Sequence, residues 1–154
     1  MKKSSIIILI MFFIQSCGYV PLYSKNQKVD FYIQSINFNG SDRELANFIK
    51  SDLNNYLKKN TGKNFIINAS INYQKTAVSK SAEAITEEYN LISTVLFQIN
   101  SENVDEEITI NETFKMNNFN DEFEERKYEQ TIKKNMARSI VSKLILQLTR
   151  LNVN

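Results

Sequence analysis

The C-terminal part of the chain constrains the fold most, because residues 121–151 contain neither glycine nor proline. Apolar side chains recur there every three or four positions, which is typical of one face of an α-helix. This stripe consists of Tyr128, Ile132, Met136, Ile140, Val141, Leu144, Ile145, Leu148 and Leu151. Carboxylates crowd the beginning of the stretch, where the helix dipole favours negative charge. The sequence therefore predicts a helix on the order of 45 Å long, whose apolar face must be covered.

Four shorter stretches have the patterns of β-strands. Residues 65–73 alternate between apolar and polar side chains, and the alternation returns between residues 85 and 100, as in strands with one buried face. Residues 31–38 are rich in aromatic and β-branched side chains, and residues 108–116 hold apolar side chains at alternate positions. A four-stranded sheet needs a cover, so we expect the long helix to pack on it. A coiled-coil partner for the helix is the alternative.

A second helix is predicted between the first two strands. After a turn at Asn39-Gly40, Ser41 and Glu44 have the spacing of a capping box, in which each side chain accepts from the backbone N–H of the other residue. Apolar residues then follow at helical spacing: Leu45, Phe48, Ile49, Leu53, Tyr56 and Leu57. We expect Gly62 to end this helix.

The predicted elements follow the order β-α-β-β-β-α. This order indicates an α+β fold, a two-layer sandwich with two helices packed on one face of a four-stranded, mainly antiparallel sheet. The other face is expected to be polar, from Asn68, Ser70, Asn72, Thr94 and Gln98. Alternation fades over residues 75–84, which predicts a long hairpin whose polar distal half projects beyond the helices. Residues 101–107 are expected to form an acidic turn before the last strand.

The N-terminus has the layout of a secretion signal. Lys2 and Lys3 precede nine apolar residues, 6–14, and Ser16 lies just before Cys17, the only cysteine. Nine residues are too few to span a bilayer, which takes about 20, and they match the apolar core of a signal peptide. The sequence thus predicts that Cys17 is lipidated, with a secreted protein and an uncleaved anchor as the alternatives.

This reading divides the chain into three parts. Residues 1–16 form a lipoprotein signal peptide, residues 17–28 a lipidated N-terminus and tether, and residues 29–154 a periplasmic α+β domain. The full chain has 19 basic and 17 acidic residues, and two of the basic ones leave with the signal, so the mature chain is formally neutral. Such a balance lacks the basic footprint of a nucleic-acid-binding protein, and we expect no nucleic-acid partner.

The residue inventory points away from catalysis. The chain has no histidine, which removes the serine–histidine and cysteine–histidine mechanisms and histidine-containing zinc sites. No glycine-rich loop follows a predicted strand, so phosphate and dinucleotide fingerprints are missing. A pair of carboxylates acting on a cell-wall glycan is the remaining enzymatic alternative. We expect a binding or structural protein without a metal or cofactor.

Several stretches resemble the lipopolysaccharide-assembly lipoproteins of the LptE type. The mature chain would begin CGYVPLY at residues 17–23, like the cysteine–glycine–aromatic start and proline–leucine–tyrosine that follow in that family. The first predicted helix, with Asp42, Arg43 and Asn47, and the stretch AEAITEEYNL at residues 82–91 are similar to its first helix and third strand. The long C-terminal helix with Ala137 also agrees.

The resemblance implies a fold and a function. It implies two helices on a four-stranded sheet, anchored at the periplasmic face of the outer membrane through a diacylglycerol cysteine that also carries palmitate. It implies a plug inside a β-barrel partner, the LptD type of assembly protein, that helps insert lipopolysaccharide into the outer leaflet. A free-standing outer-membrane lipoprotein that binds a small ligand or supports the envelope is the alternative.

Two lysines near the predicted hairpin are candidate contacts for lipopolysaccharide. A phosphorylated sugar lipid calls for exposed cations, and Lys75 and Lys80 lie where the hairpin would project. Ordinary solvated lysines with no ligand are the alternative.

Overall fold

A computed structural model describes residues 30–57, 62–80, 82 and 86–153 of the chain. The elements are β1 (Phe31–Gly40), α1 (Arg43–Leu57), β2 (Lys63–Lys80), β3 (Thr86–Ser101), β4 (Val104–Asn117) and α2 (Glu122–Val153). The order β-α-β-β-β-α and the α+β class confirm the prediction.

The four strands form one sheet in the order β1-β2-β3-β4. β1 pairs with β2 in parallel, whereas β2 with β3 and β3 with β4 are antiparallel. The parallel pair follows from α1, which carries the chain from the end of β1 back to the start of β2. One register shift, between Ile33 and Ser35, interrupts the β1–β2 pairing.

The core lies between the sheet and the two helices. Alternate residues of β2 and β3 face the helices and are buried there, among them Phe65, Ile67, Leu91 and Phe97. The α2 stripe is buried against them, at Ile132, Met136, Ala137, Ile140, Val141, Leu144 and Leu148. The long helix therefore covers its own sheet, as expected, and the coiled-coil alternative is not needed to explain its apolar face.

The predicted capping box is wrong. Asp42 caps α1, since its Oδ1 accepts from the backbone N–H of Leu45 at 2.8 Å. Ser41 instead contacts β2, where its hydroxyl accepts a hydrogen bond from the backbone N–H of Tyr73 at 3.0 Å. Glu44 turns toward α2 and accepts from Gln130 at 2.6 Å. Tertiary partners thus compete successfully with the local cap, and Asp42 replaces Ser41 in it.

Gly62 makes a close backbone approach that the sequence did not predict. Helix α1 is described as far as Leu57, and residues 58–61 lie outside the described part of the chain, so Gly62 as the end of this helix stays a prediction. Gly62 has a φ of 95°, and a side chain on it would collide with the carbonyl of Asp30. The next residue, Lys63, donates its N–H to the same carbonyl at 3.2 Å. Glycine is needed here for the close approach of the two strand beginnings.

The prediction of an acidic turn over residues 101–107 is also wrong, because the observed turn is shorter. β4 already begins at Val104, so only Glu102 and Asn103 connect it to β3. Asp105 pairs with Asn100, and Glu107 pairs with Gln98. The carboxylates occupy exposed positions of an edge strand, where charge is tolerated because the side chains remain in water.

Candidate functional site

The predicted sites fall partly outside the described residues. Cys17 and the tether lie in residues 1–29, and the side chain of Lys80 also lies outside the description. Lipidation of Cys17 and the role of Lys80 therefore stay predictions. Lys75 lies within the described part of β2.

Lys75 is held in a salt bridge on the helix-facing side of β2. Its ammonium group lies 2.6 Å from Glu125 and 3.1 Å from Glu129, both on α2. It also lies 4.5 Å from the ring centroid of Tyr89 on β3, within the range of a cation–π contact. The charge of Lys75 is thus shared with two carboxylates, which favours a structural role over contact with a phosphate. Its role as a lipopolysaccharide contact stays a prediction.

A second lysine, Lys133 on α2, lies at the centre of a larger ionic cluster. Its ammonium group is 2.7 Å from Asp42, 3.3 Å from Glu44 and 3.6 Å from Glu129. It also lies over the ring of Tyr73 at 4.6 Å. The side chain is 11% exposed. Lysine at this depth is rare unless it is paired, and here three carboxylates supply the pairing.

Tyr73 and Glu129 connect the two lysines. The Tyr73 hydroxyl donates to Glu129 Oε1 at 2.9 Å, while Glu129 Oε2 accepts from Lys75. We call the set formed by Asp42, Glu44, Tyr73, Lys75, Glu125, Glu129 and Lys133 the ionic brace. It joins the beginning of α1, the middle of β2 and the first third of α2. The brace holds four carboxylates against two lysines, so its net charge is negative.

The brace shifts the pKa values of its members. Burial raises the pKa of the Tyr73 hydroxyl well above its usual range, and the hydrogen bond to Glu129 adds to this shift. Burial alone would raise the pKa of Glu129, but hydrogen bonds from Tyr73 and Lys75 outweigh it and lower the pKa. Burial would likewise lower the pKa of Lys133, yet Asp42 and Glu129 raise it. Each shift favours the state that these contacts require, which is a protonated Tyr73, an ionised Glu129 and a charged Lys133.

Sequence reasoning missed the brace, although one signal was present. Lys133 lies between Ile132 and Met136 on the apolar face of the predicted helix, where a solvated lysine would not be expected. Tyr73 and Lys75 continue the helix-facing positions of β2 beyond Ile71. Polar residues at such positions indicate buried partners, but the sequence does not say which ones.

The open face of the sheet, which the helices do not cover, is the second candidate surface. From Asn64 to Thr76 on β2 and from Asn90 to Asn100 on β3, every residue pointing to this face is uncharged. Amide side chains hydrogen-bond across strands, for example Asn37 to Asn68 at 3.1 Å. The expected polar residues are joined by Ile66, which is 40% exposed, and by the half-buried Ile92 and Leu96. The result is a surface of amides and hydroxyls with aliphatic side chains between them.

The β2–β3 hairpin extends this surface. β2 and β3 stay paired as far as Lys80 and Thr86, and β2 has no buried residue after Ile71 among those described. Val78, near the end of β2, is 49% exposed. The long hairpin with a weakly packed distal half is therefore confirmed.

Two open grooves line α2. The larger, of about 540 Å³, lies beside the brace and is lined mainly by charged and polar residues, with Phe123 as its apolar member. The smaller, of about 260 Å³, runs between α2 and the edge strand β4. In the described ranges no group of three or more potential ligand side chains is placed to hold a metal ion. Nor does that part of the chain include a helix long and apolar enough to cross a membrane.

Comparison with known proteins places this fold among a group of solved bacterial structures. No family model matches the sequence, and no curated protein matches it either. Rare lipoprotein B from Shewanella oneidensis is similar in structure, with a TM-score of 0.57, 15% identity, and coverage of 75% of this chain and 97% of that one.

Two further structures agree. A minor lipoprotein from Acinetobacter baumannii has a TM-score of 0.53 and 15% identity, covering 77% of this chain and 92% of its own. Lipoprotein B from Nitrosomonas europaea, solved by NMR, has a TM-score of 0.53 and 13% identity, covering 84% and 91%. At these identities the similarity establishes a shared fold.

Proposed function

We propose that this protein is an outer-membrane lipoprotein that fills the lumen of a β-barrel lipopolysaccharide translocon. Its acylated Cys17 would hold it at the periplasmic face, and the barrel partner would be of the LptD type. The observation that carries the proposal is the uncharged polar surface that β2 and β3 present on the open face, which continues into the exposed half of the β2–β3 hairpin. Charged residues of this face, Asp105, Glu107 and Lys115, lie on the edge strand β4. The proposal also draws on the CGYVPLY start and on the fold shared with solved lipoproteins.

The open face suits the wall of a barrel lumen. Barrel interiors are polar and lined by alternate side chains of the strands. The amides and hydroxyls that β2 and β3 present on this face can exchange their hydrogen bonds to water for bonds to such a wall without burying an unpaired charge. The aliphatic side chains of Ile66, Ile92 and Leu96 add apolar contact at its centre. We infer that this face, more than the helical face, contacts the barrel.

The alternative of a small-ligand carrier receives less support. A carrier of that kind needs a deep, largely apolar pocket. The space between the helices and the sheet is filled by side chains such as Phe65, Phe97 and Met136, which are fully buried. The two grooves along α2 are open, and charged residues contribute to the lining of both.

The lipid anchor fits a plug. A single acyl chain gives only marginal membrane binding, on the order of 10⁴ M⁻¹, whereas two or more chains anchor stably. A stably anchored plug remains in the same membrane as its barrel, so the second contact becomes effectively intramolecular. Gly18 follows Cys17 in place of the aspartate that commonly retains lipoproteins in the inner membrane.

Copurification of the lipidated protein from detergent-solubilised membranes tests the proposal. We expect a β-barrel protein to copurify with the native chain in an equimolar amount. Asn72→Arg, at the centre of the open face, should abolish this recovery, because it places an unpaired cation against the barrel wall. Thr131→Arg, on the exposed side of α2, is the matched control and should leave it unchanged. Recovery of the native chain alone would refute the plug and favour the free-standing lipoprotein.

A further inference from the structure

The first turns of α2, residues 122–131, differ from the rest of the helix in how they contact the sheet. All of these residues are exposed except Glu125 and Glu129, so the side chains that point inward here are carboxylates. From Ile132 onward the inward positions are mainly apolar and buried, as at Met136. We call residues 122–131 the strap, because they lie across the base of the β2–β3 hairpin.

Side chains of β2 hold the strap through these two carboxylates. The Lys75 ammonium group lies 2.6 Å from Glu125 and 3.1 Å from Glu129, and the Tyr73 hydroxyl donates to Glu129 at 2.9 Å. The side chains of Lys75 and Glu125 are 26% and 17% exposed, so water reaches this salt bridge. Ion pairs in such positions contribute less than fully buried apolar contacts do.

The other contacts of the strap are also polar or partly exposed. Gln130 donates to Glu44 on α1 at 2.6 Å, in an exposed position. The ring of Tyr128 lies 5.3 Å from that of Phe119, but Tyr128 is 46% exposed. Within the described core, no buried side chain comes from the strap. The strap is thus attached by polar contacts and by a partly exposed aromatic contact.

The strap covers apolar residues of the sheet. In the strand register, Leu91 on β3 lies between Lys75 on β2 and Phe114 on β4. Because Lys75 contacts Glu125 and Glu129, the strap passes over this row. Leu91 is fully buried, and Met116, in the next helix-facing row, is 1% exposed. Opening of the strap would therefore uncover apolar surface at the base of the hairpin.

We propose that the strap opens from the sheet as one unit while the rest of α2 stays packed, and that the salt bridges of Lys75 set how often it opens. Segments with few buried apolar contacts open at a free energy well below that of global unfolding. The open state presents Leu91 and Met116 to solvent without loss of the remaining core. This inference goes beyond the proposed function and does not rest on it.

Residue-resolved amide exchange of the full chain, purified in detergent, tests the proposal. The amides of residues 126–131, which have acceptors within the helix, are compared with those of residues 140–148. Exchange should be at least about tenfold faster in the strap. It should depend little on denaturant there, because a local opening exposes little surface. Equal protection in the two stretches, or protection that rises steadily from residue 126 to residue 131 as in a fraying helix end, would overturn the proposal.

A core variant tests whether the strap opens separately. Ile140→Val should speed exchange at residues 140–148 about fivefold, because it destabilises the folded core relative to the unfolded chain. Exchange in the strap should keep its native rate, since the core around Ile140 is intact in both the closed and the open state. A fivefold rise in the strap as well would show that the strap opens only by global unfolding, and would refute the proposal.

Lys75→Met tests what holds the strap closed. It leaves Glu125 and Glu129 near each other without this cation, so exchange in the strap should rise about tenfold. Lys115→Met is the matched control, because Lys115 also pairs with a carboxylate, that of Glu88 at 3.3 Å, but away from the strap. It should leave exchange in the strap unchanged. Native exchange in Lys75→Met, or an equal rise in Lys115→Met, would contradict the role of Lys75.

Discussion

The Tyr73 hydroxyl donates a hydrogen bond of 2.9 Å to Glu129 and so joins the middle of β2 to the first third of α2. These residues are 56 positions apart in sequence. Through Glu129, Tyr73 is connected to both lysines of the ionic brace, Lys75 and Lys133. The brace lies where the helices end their cover of the sheet and the hairpin continues outward. It therefore ties β2 to the helices just before the exposed half of the β2–β3 hairpin.

Replacement of Lys133 should be strongly destabilising. Lys133→Met leaves Asp42, Glu44 and Glu129 close together without their cation, and removal of one partner of a buried ion pair costs about 3–5 kcal/mol. Since Glu44 is partly exposed, we expect a loss of about 2–3 kcal/mol in the free energy of unfolding. Chemical denaturation measures this loss.

Lys143→Met is the matched control. Lys143 likewise lies on α2, and its ammonium group forms a salt bridge with the carboxylate of Glu112 at 2.7 Å. Its side chain is half-exposed, so its removal should cost less than about 1 kcal/mol. Equal losses in the two variants would contradict the central position of Lys133.

The stability of the domain should fall on the acid side through Glu129. The pKa of Glu129 is lower in the folded chain than its usual value of 4.5, so the unfolded chain binds more protons as the pH drops. Its contribution is present above pH 4.5 and is lost as the pH falls through the lowered pKa. Glu129→Gln should reduce the slope of unfolding free energy against pH in this window. An unchanged slope would exclude Glu129 as a source of the acid dependence.

The stability of the domain at alkaline pH depends on Tyr73. Its pKa is raised above the usual value of 10.0, so the unfolded chain loses the phenolic proton first. This contribution is present below pH 10 and is lost as the pH rises above it. Tyr73→Phe should flatten the decline above pH 10, where Lys75 and Lys133, with raised pKa values, contribute a further loss. A decline that is equally steep in Tyr73→Phe and in the native chain would exclude Tyr73 as its source.

The sequence allowed the element order and the buried faces to be predicted, because periods of two and of 3.6 residues report which side chains face the core. The helix stripe around Met136 and the alternation around Ile67 are examples. These periods do not predict which side chains contact each other across the fold. Ser41 has the spacing of a helix cap, but the N–H of Tyr73, 32 residues away, competes for its hydroxyl. The ionic brace likewise joins α1, β2 and α2 through residues that only the tertiary fold brings together.

Gly40 should tolerate no side chain. Its φ is 136°, and a β-carbon there would collide with the backbone of Ile71 on β2. Gly40→Ala should destabilise the domain by about 2 kcal/mol or more, since positive φ and the collision add. Asn39→Ala, at the exposed neighbouring position, should change the unfolding free energy by less than about 0.5 kcal/mol. Thermal unfolding compares the two, and a stable Gly40→Ala variant would contradict this close approach.

Lys80 is the better test of lipopolysaccharide binding. Charge reversal at Lys75 would also break its salt bridges to Glu125 and Glu129, so a loss of binding there could reflect a displaced hairpin. Lys80→Glu should weaken binding of lipopolysaccharide severalfold, because it sets a carboxylate against the phosphates of the ligand. Lys134→Glu, on the exposed side of α2, should leave binding unchanged. Native affinity in Lys80→Glu would remove this residue from the site.

The last prediction concerns Cys17. Cys17→Ala, combined with a signal peptide that is cleaved without lipidation, should leave the unfolding free energy unchanged, because the buried core is built from residues between Phe31 and Leu148. Assembly with the barrel should nevertheless fall, since loss of the acyl chains removes the high local concentration of a plug held in the same membrane. Copurified barrel protein at native expression is the measurement. Overexpression of the unlipidated chain should restore assembly by mass action. Equal assembly without the lipid at native expression would contradict this prediction, because it would show that assembly does not depend on the lipid anchor.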